Sequence, residues 1–105
     1  MTESRGHIRI VEDDDAVREG LEALLKSWGY TTSLYPDAES LLKAKPDGRC
    51  TCILIDVRLP GMDGLALVAE LRRRGLLTPI LMMSAHGAIS TAVEAMRLGA
   101  QDFIE

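Results

Sequence analysis

Acidic side chains follow two of the most apolar segments of this sequence. Four consecutive acids, at residues 12–15, come directly after the apolar segment at residues 7–11. Asp56 comes directly after the run at residues 53–55, which is short, rich in isoleucine and without polar alternation, as in a strand buried on both faces. Ligands of open parallel sheets bind just outside the carboxyl ends of the strands. Asp56 is therefore a candidate site residue.

A grouping of Glu12, Asp13 and Asp56 at one edge of a sheet would favour one kind of chemistry. Three poorly solvated carboxylates repel one another, and some of their pKa values would be raised. A hard divalent cation removes this conflict, and Mg2+ prefers oxygen ligands together with water and phosphate oxygens. With the cation bound, Asp56 could attack a phosphoryl group and form an acyl phosphate. Ser84, which follows the apolar run at residues 80–83, would supply a hydroxyl donor.

Apolar periodicity predicts the elements that would bring these residues together. Short apolar runs predict five strands, at residues 7–11, 31–35, 53–55, 80–83 and 101–104. The segments between them predict four helices, at about residues 15–28, 37–45, 64–74 and 89–98. Strands that alternate with helices imply crossover connections and a parallel sheet covered on both faces. The polar loops that follow the first, third and fourth strands are therefore expected at the same edge.

Length and composition limit the class of protein. The 105 residues suffice for one domain. Hydrophobic residues make up 47% and aromatic residues only 4%, which predicts an aliphatic core. The net charge of -4 argues against direct contact with nucleic acid, and no apolar run is long enough to cross a membrane. Residues 1–6 are polar and lack the apolar core of a secretion signal, so a cytoplasmic location is predicted.

Three further patterns receive structural interpretations. Cys50 and Cys52 are predicted to point to the same face of a strand, as small buried residues, since their spacing does not suit a disulfide and two ligands do not make a zinc site. The three arginines at residues 72–74 are interpreted as a solvated helix end favoured by the helix dipole. Val93 and Met96 are predicted to share one apolar face of the fourth helix.

Four groups of residues, spread over nearly the whole chain, form a wider pattern. They are IVEDD at residues 10–14, IDVRLPGMDG at 55–64, MSAHG at 83–87, and AVEAM with GAQDFI at 92–96 and 99–104. In this order and spacing they resemble the receiver domain of bacterial two-component response regulators, of the kind attached to transcription regulators. The resemblance implies an α/β, flavodoxin-like, doubly wound parallel sheet of five strands in the order 2-1-3-4-5.

The same resemblance implies a phosphoacceptor site. Asp56 would take a phosphoryl group from a sensor histidine kinase, and the domain would assist both this transfer and its own dephosphorylation. Asp13 would bind Mg2+ directly and Glu12 would bind it through water. The backbone carbonyl of Arg58 would be a further ligand. Glu12 stands where the family often has aspartate, and its longer side chain changes the reach of the carboxylate.

The resemblance also implies a conformational switch. Ser84 would be the switch hydroxyl and Phe103 the switch aromatic. The new phosphoryl group would draw Ser84 inward, and the ring of Phe103 would turn into the space that is vacated. Such a switch is a bistable packing element biased by local charge, and it would control an output, here expected to be transcription.

The family pattern continues beyond Glu105 with a lysine, a proline and a fifth helix. Residues 1–105 are accordingly interpreted as one receiver domain that stops before its last helix. A DNA-binding or ATPase output domain would lie C-terminal to it. Without the lysine, which contacts the phosphoryl group in the family, we expect poor phosphorylation. Without the last helix, we expect exposed apolar surface that would favour a homodimer.

Three alternative functions are considered beside this one. A pseudo-receiver would act as a protein-interaction module without phosphorylation, and the missing lysine favours this alternative. A flavin-binding electron carrier would share the fold, but four acids after the first strand would repel the flavin phosphate. A phosphatase with an aspartyl nucleophile would need a second acid two residues after Asp56, where this chain has Arg58.

Overall fold

The structure is a computed structural model that describes residues 5–45, 49–84 and 89–104. Residues 46–48, which follow the predicted second helix, and part of the MSAHG segment lie outside the described residues. Strands and helices alternate along the described chain. In order they are β1 (Gly6–Val11), α1 (Asp15–Ser27), β2 (Tyr30–Tyr35), α2 (Ala38–Lys43), β3 (Cys50–Asp56), α3 (Gly64–Arg73), β4 (Ile80–Met83), α4 (Ile89–Leu98) and β5 (Asp102–Ile104).

The five strands form one sheet in the order β2-β1-β3-β4-β5, and every neighbouring pair is parallel. The predicted fold class and strand order are confirmed. Helix α1 packs on one face of the sheet through Leu21 and Leu25. Helices α2, α3 and α4 pack on the other face, over the larger core cluster. The carboxyl ends of β1, β3 and β4 therefore lie side by side at one edge.

Aspartates begin three of the helices, as their residue types predict. The Asp14, Asp37 and Asp63 carboxylates each accept a hydrogen bond from a backbone N–H three residues further on. Glycines follow the ends of three helices with positive φ, 93° at Gly29, 86° at Gly75 and 113° at Gly99. These caps fix where each helix starts and stops relative to the sheet edge.

The apolar face predicted for α4 does not lie against the core. Val93 and Met96 are 60% and 46% exposed, whereas Ala95 is buried. No residue of α1 is fully buried, and Trp28, which follows this helix, is 54% exposed. Helical spacing identifies residues that share a face, but the choice of the face that meets the sheet depends on the crossing geometry.

Cys50 and Cys52 lie on opposite faces of the sheet, so the prediction of a shared face is wrong. Cys50 packs against the core cluster under α2 and α3, whereas Cys52 packs against the cluster under α1. The register between β1 and β3 shifts between His7 and Ile8, because Thr51 is an extra residue in β3. Such a β-bulge breaks the alternation of side chains and turns Cys50 to the other face.

Arg72 is not part of a solvated helix end. Its guanidinium is partly buried and donates hydrogen bonds to the carbonyls of Leu76 and Thr78, at 2.8 and 2.9 Å, and to the carbonyl of Gly99, at 2.8 and 3.0 Å. Arg73 fits the prediction, since it is exposed and pairs with Glu70. Arg72 thus connects the end of α3 to the start of β4 and to the end of α4.

Candidate functional site

Three carboxylates meet at the carboxyl edge of the sheet. The register pairs Val11 with Ile55, so Glu12 and Asp56, the residues that follow, emerge from adjacent parallel strands. One oxygen each from Glu12, Asp13 and Asp56 lies within 4.8 Å of the others. The predicted grouping of these three acids is therefore present. This grouping follows from the parallel pairing of β1 and β3, because the residues that follow the two strands lie side by side although they are distant in sequence.

The three acids sit in different environments. Glu12 is 4% exposed, Asp56 is partly buried and Asp13 is exposed. Burial, followed by the nearby carboxylates of Asp56 and Asp13, raises the pKa of Glu12 to about 7, although a hydrogen bond from the Asp14 N–H at 3.0 Å opposes this. Burial and the neighbouring carboxylates thus both favour the protonated form of Glu12.

The loop from Val57 to Asp63 is held against the site by backbone hydrogen bonds. The Val57 N–H donates to the Met83 carbonyl at 3.0 Å, and the Gly64 N–H donates to the Val57 carbonyl at 2.9 Å. The Arg58 N–H donates to Asp56 Oδ1 at 3.2 Å. A Cβ at Gly64 would lie 2.2 Å from the Asp56 carbonyl oxygen, so only glycine allows α3 to start so close to β3.

A glutamate from α2 braces the same loop. Glu39 Oε1 accepts a hydrogen bond from the Met62 N–H at 3.1 Å and lies beside Gly61, whose φ is 72°. Sequence analysis did not identify Glu39, because an exposed acid in the first turn of a helix has an ordinary explanation in the helix dipole. Its contact depends on the packing of α2 against the loop after β3.

Arg18 is a second residue that sequence analysis missed. Its guanidinium donates to the Glu12 carbonyl oxygen at 2.8 Å and pairs with Asp15, and its side chain is only 16% exposed. The positive charge therefore lies beside the acidic loop. Its position three residues after Asp15 was the available signal, since residues three or four apart on a helix are close in space.

Ser84 and Ile104 line the same cleft as the three acids. Ser84 follows β4, is 8% exposed, and its N–H donates to the Ile104 carbonyl at 3.0 Å. A cleft of about 510 Å³ lies here. It is lined by Glu12, Asp13, Asp14, Val17, Asp56, Arg58, Met83, Ser84 and Ile104. Ser84 and Arg58 thus lie where the sequence predicts them, in one cleft with the three acids.

Phe103 occupies a different position from the other predicted residues. It is partly buried, pairs with Met82 across the sheet and packs against the core cluster under α3 and α4. It is not among the residues that line the acidic cleft. Its neighbour Ile104, on the opposite side of β5, lines the cleft instead.

The donor set of the cleft fits a hard cation. The three grouped ligands are all carboxylates, and within the described residues no histidine or cysteine joins them. Burial is the main reason that the pKa of Glu12 is raised, and the nearby carboxylates add to it; a cation would relieve the repulsion among the three carboxylates. The fold and this edge together define an α/β domain with an acidic cleft at the carboxyl end of a parallel sheet. Among the described residues, no helix is both long and apolar enough to cross a membrane.

Comparisons with known proteins agree on one family. Residues 8–105 match the response regulator receiver domain. The transcriptional regulatory protein FixJ of Bradyrhizobium diazoefficiens is 43% identical over 102 residues, which are 97% of this chain and 50% of FixJ. The DNA-binding transcriptional regulator NtrC of Escherichia coli is 35% identical over 100 residues, which are 95% of this chain and 21% of NtrC. Full-length FixJ from B. japonicum superposes with a TM-score of 0.88 at 42% identity, over 96% of this chain and 50% of that one.

The chain therefore belongs to the response regulator receiver domain family. Receiver domains are signalling domains, and both relatives named above are transcriptional regulators. The chain spans half the length of FixJ and about a fifth of NtrC. The family predicted from the four sequence segments is confirmed, and the comparisons give no support to the pseudo-receiver alternative.

Proposed function

We propose that Asp56 accepts a phosphoryl group from a sensor histidine kinase, in a reaction that depends on Mg2+. The observation that carries this proposal is the meeting of Glu12, Asp13 and Asp56 within 4.8 Å at the edge of the sheet. A carboxylate oxygen of Asp56 would form a bond to phosphorus while the phosphorus–nitrogen bond of the kinase phosphohistidine breaks, and the departing imidazole takes up a proton.

The three acids and one backbone carbonyl would hold the cation. In this proposal Asp13 binds Mg2+ directly, Glu12 binds it through water, and Asp56 and the Arg58 carbonyl complete the protein ligands. Bound Mg2+ supplies charge neutralisation for the transferring phosphoryl group. The Arg58 N–H, which donates to Asp56 Oδ1, orients the acceptor carboxylate so that its other oxygen can react. Bound Mg2+ would favour the ionised form of the Glu12 carboxyl, whose pKa is raised mainly by burial.

Ser84 and Phe103 would convert phosphorylation into a change of shape. The Ser84 hydroxyl would donate a hydrogen bond to the phosphoryl group, and its backbone is bonded to Ile104, the neighbour of Phe103. A movement of Ser84 would therefore pull on β5, and Phe103 would repack against the core cluster. We further propose that the domain assists its own dephosphorylation, because the same cleft admits water to the acyl phosphate.

The proposed partners are a sensor histidine kinase and a C-terminal output domain that controls transcription. The relatives that are transcriptional regulators support this output, and the length that they have beyond the matched region would accommodate it. The output domain would be a DNA-binding or ATPase domain. A homodimer of the receiver domain would bring two output domains together. A cytoplasmic location follows from this proposal, since the output acts on genes.

Mass spectrometry of the intact protein tests the proposal. The chain is incubated with acetyl phosphate and Mg2+, and we expect the mass increment of one phosphoryl group. Asp56→Asn should abolish the increment. Asp63→Asn is the matched control, because it makes the same substitution in the same loop and asparagine still caps α3. An increment that persists in Asp56→Asn would contradict the proposal.

Beryllofluoride, a phosphoryl mimic, separates the proposal from a pseudo-receiver. We expect it to perturb the backbone amide signals of Asp56 and Ser84 only when Mg2+ is present. A chain that shows neither the mass increment nor Mg2+-dependent beryllofluoride binding would be a pseudo-receiver.

A further inference from the structure

A second cavity lies at the end of the sheet opposite the acidic cleft. It is enclosed by the ends of α2 and α3 and by the starts of β3 and β4, and its volume is about 460 Å³. We call it the α2–α3 cavity. Most of its wall is aliphatic, formed by Leu41, Leu42, Ile53, Leu71 and Leu76. A cavity of this size is within the range that small organic ligands occupy in proteins.

Two arginines line the α2–α3 cavity, and they differ in how their charges are balanced. Arg74 pairs with Glu70 at 2.8 Å. Arg9 has no carboxylate partner among the described residues: one of its terminal nitrogens donates to the Lys45 carbonyl at 2.7 Å, and its guanidinium lies 5.9 Å from the centre of the Tyr35 ring. Its Nε is buried and has no hydrogen-bond partner within the same part of the chain.

An unbalanced, partly buried cation beside an aliphatic cavity is unfavourable without an anion. Burial of a charge is costly unless the charge is paired and hydrogen-bonded. Arg9 reaches the cavity from the middle of β1, where the neighbouring residues of β2 are polar and uncharged. The guanidinium presents several N–H donors in one plane, which suits a carboxylate.

We propose that the α2–α3 cavity binds a small monocarboxylate with an apolar body. The carboxylate would pair with Arg9 at the mouth of the cavity, and the apolar body would lie against the leucines of α2 and α3. This site is separate from the phosphoacceptor site, which lies at the other end of the strands. The inference therefore stands or falls independently of the proposed function.

Two cysteines supply an internal control for a binding experiment. Cys50 lines the α2–α3 cavity, whereas Cys52 packs under α1 on the opposite face of the sheet. Sodium decanoate serves as the probe, and the rate of iodoacetamide modification is measured at each cysteine by peptide mass spectrometry. We expect decanoate to slow the modification of Cys50 several-fold and to leave the rate at Cys52 unchanged. Equal slowing at both cysteines, or none at either, would overturn the proposal.

The role of the charge is tested with ligands and with variants. A charge-assisted hydrogen bond corresponds to about ten-fold in affinity, so decanoate should bind about ten-fold more tightly than decanol in amide-shift titrations. Arg9→Gln should remove this difference, and Arg9→Lys should retain part of it. Arg73→Gln is the matched control, because Arg73 is an exposed arginine outside the cavity.

The ligand comparison uses the unaltered chain, so it remains decisive if Arg9→Gln fails to fold. Equal affinities for decanoate and decanol would show an apolar cavity that does not recognise carboxylate, and the proposal would be wrong. Acetate, which lacks the apolar body, should leave Cys50 as reactive as it is without ligand. Protection by acetate equal to that by decanoate would also contradict the proposal.

Discussion

Replacement of Arg72 by methionine is the most informative single change for stability. Arg72 donates four hydrogen bonds to three carbonyls, which belong to Leu76, Thr78 and Gly99. Methionine keeps much of the aliphatic stem and loses every donor. The carbonyls at the start of β4 and at the end of α4 would then depend on water, and the connection from α3 to both elements would be lost.

The expected loss follows from the number of bonds. A hydrogen bond to a charged group contributes about 1.5 kcal/mol or more to stability. Three carbonyls that lose a charged donor therefore predict a loss of about 4 kcal/mol, reduced where water replaces the guanidinium. Arg73→Met is the control, because the pair of Arg73 with Glu70 is exposed to solvent and contributes little to stability. The two substitutions are identical and lie at neighbouring positions of one helix.

Urea unfolding followed by circular dichroism measures both variants. We expect Arg72→Met to lower the free energy of unfolding by several kcal/mol, with Arg73→Met close to the unaltered chain. Arg72→Lys should fall between them, since one ammonium group cannot reach three carbonyls at once. If Arg72→Met and Arg73→Met unfold within about 1 kcal/mol of each other, the reasoning from these hydrogen bonds is refuted.

Three further predictions concern the acidic edge. The pKa of Glu12 is about 7 in the folded chain and near 4.5 in the unfolded one, so protonation of this carboxyl favours the folded state. This contribution to stability is complete at low pH. The metal-free chain should therefore lose up to about 3 kcal/mol of stability between about pH 4.5 and pH 7, measured by urea unfolding with a chelator, and Glu12→Gln should remove this dependence. Gly64→Ala should destabilise the fold by about 3 kcal/mol, because its Cβ would meet the backbone of Asp56, whereas Gly20→Ala, with open space around it, should be neutral or stabilising; similar unfolding midpoints would count against this account. Millimolar Mg2+ should raise the melting temperature of the unaltered chain more than that of Asp56→Asn, and equal increases would argue against Asp56 as a ligand.

The sequence predicted the order of elements and the grouping of the three acids more accurately than the side-chain contacts. A short apolar run rich in isoleucine, such as residues 53–55, favours a strand, and parallel strands bring their carboxyl ends to one edge whatever the details of packing. The grouping of Glu12, Asp13 and Asp56 follows from that rule alone. The same rule predicts that the loop with Arg58 and the side chain of Ser84 lie at this edge of the sheet.

The features that sequence analysis missed depend on contacts between distant segments. The β-bulge at Thr51 arises from the pairing of β3 with β1, and the alternation of residue types cannot reveal it. Arg72 resembles its neighbours in the sequence, and only the return of the chain at Gly99 gives it acceptors. In α4, Ala95 is buried and Val93 is exposed although both are apolar, so residue type alone does not identify the residue that faces the core.

The shallow packing of α1 has a consequence for hydrogen exchange. Since no residue of α1 is fully buried, its amides should exchange through local openings that cost less free energy than openings of α3, which contains four buried residues. Such an opening would release the Asp14 cap and the contact of Arg18 with Glu12, but the ladder between β1 and β3 would stay paired. The carboxylates that follow β1 and β3 would then keep their positions relative to each other, while the electrostatic environment around Glu12 fluctuates.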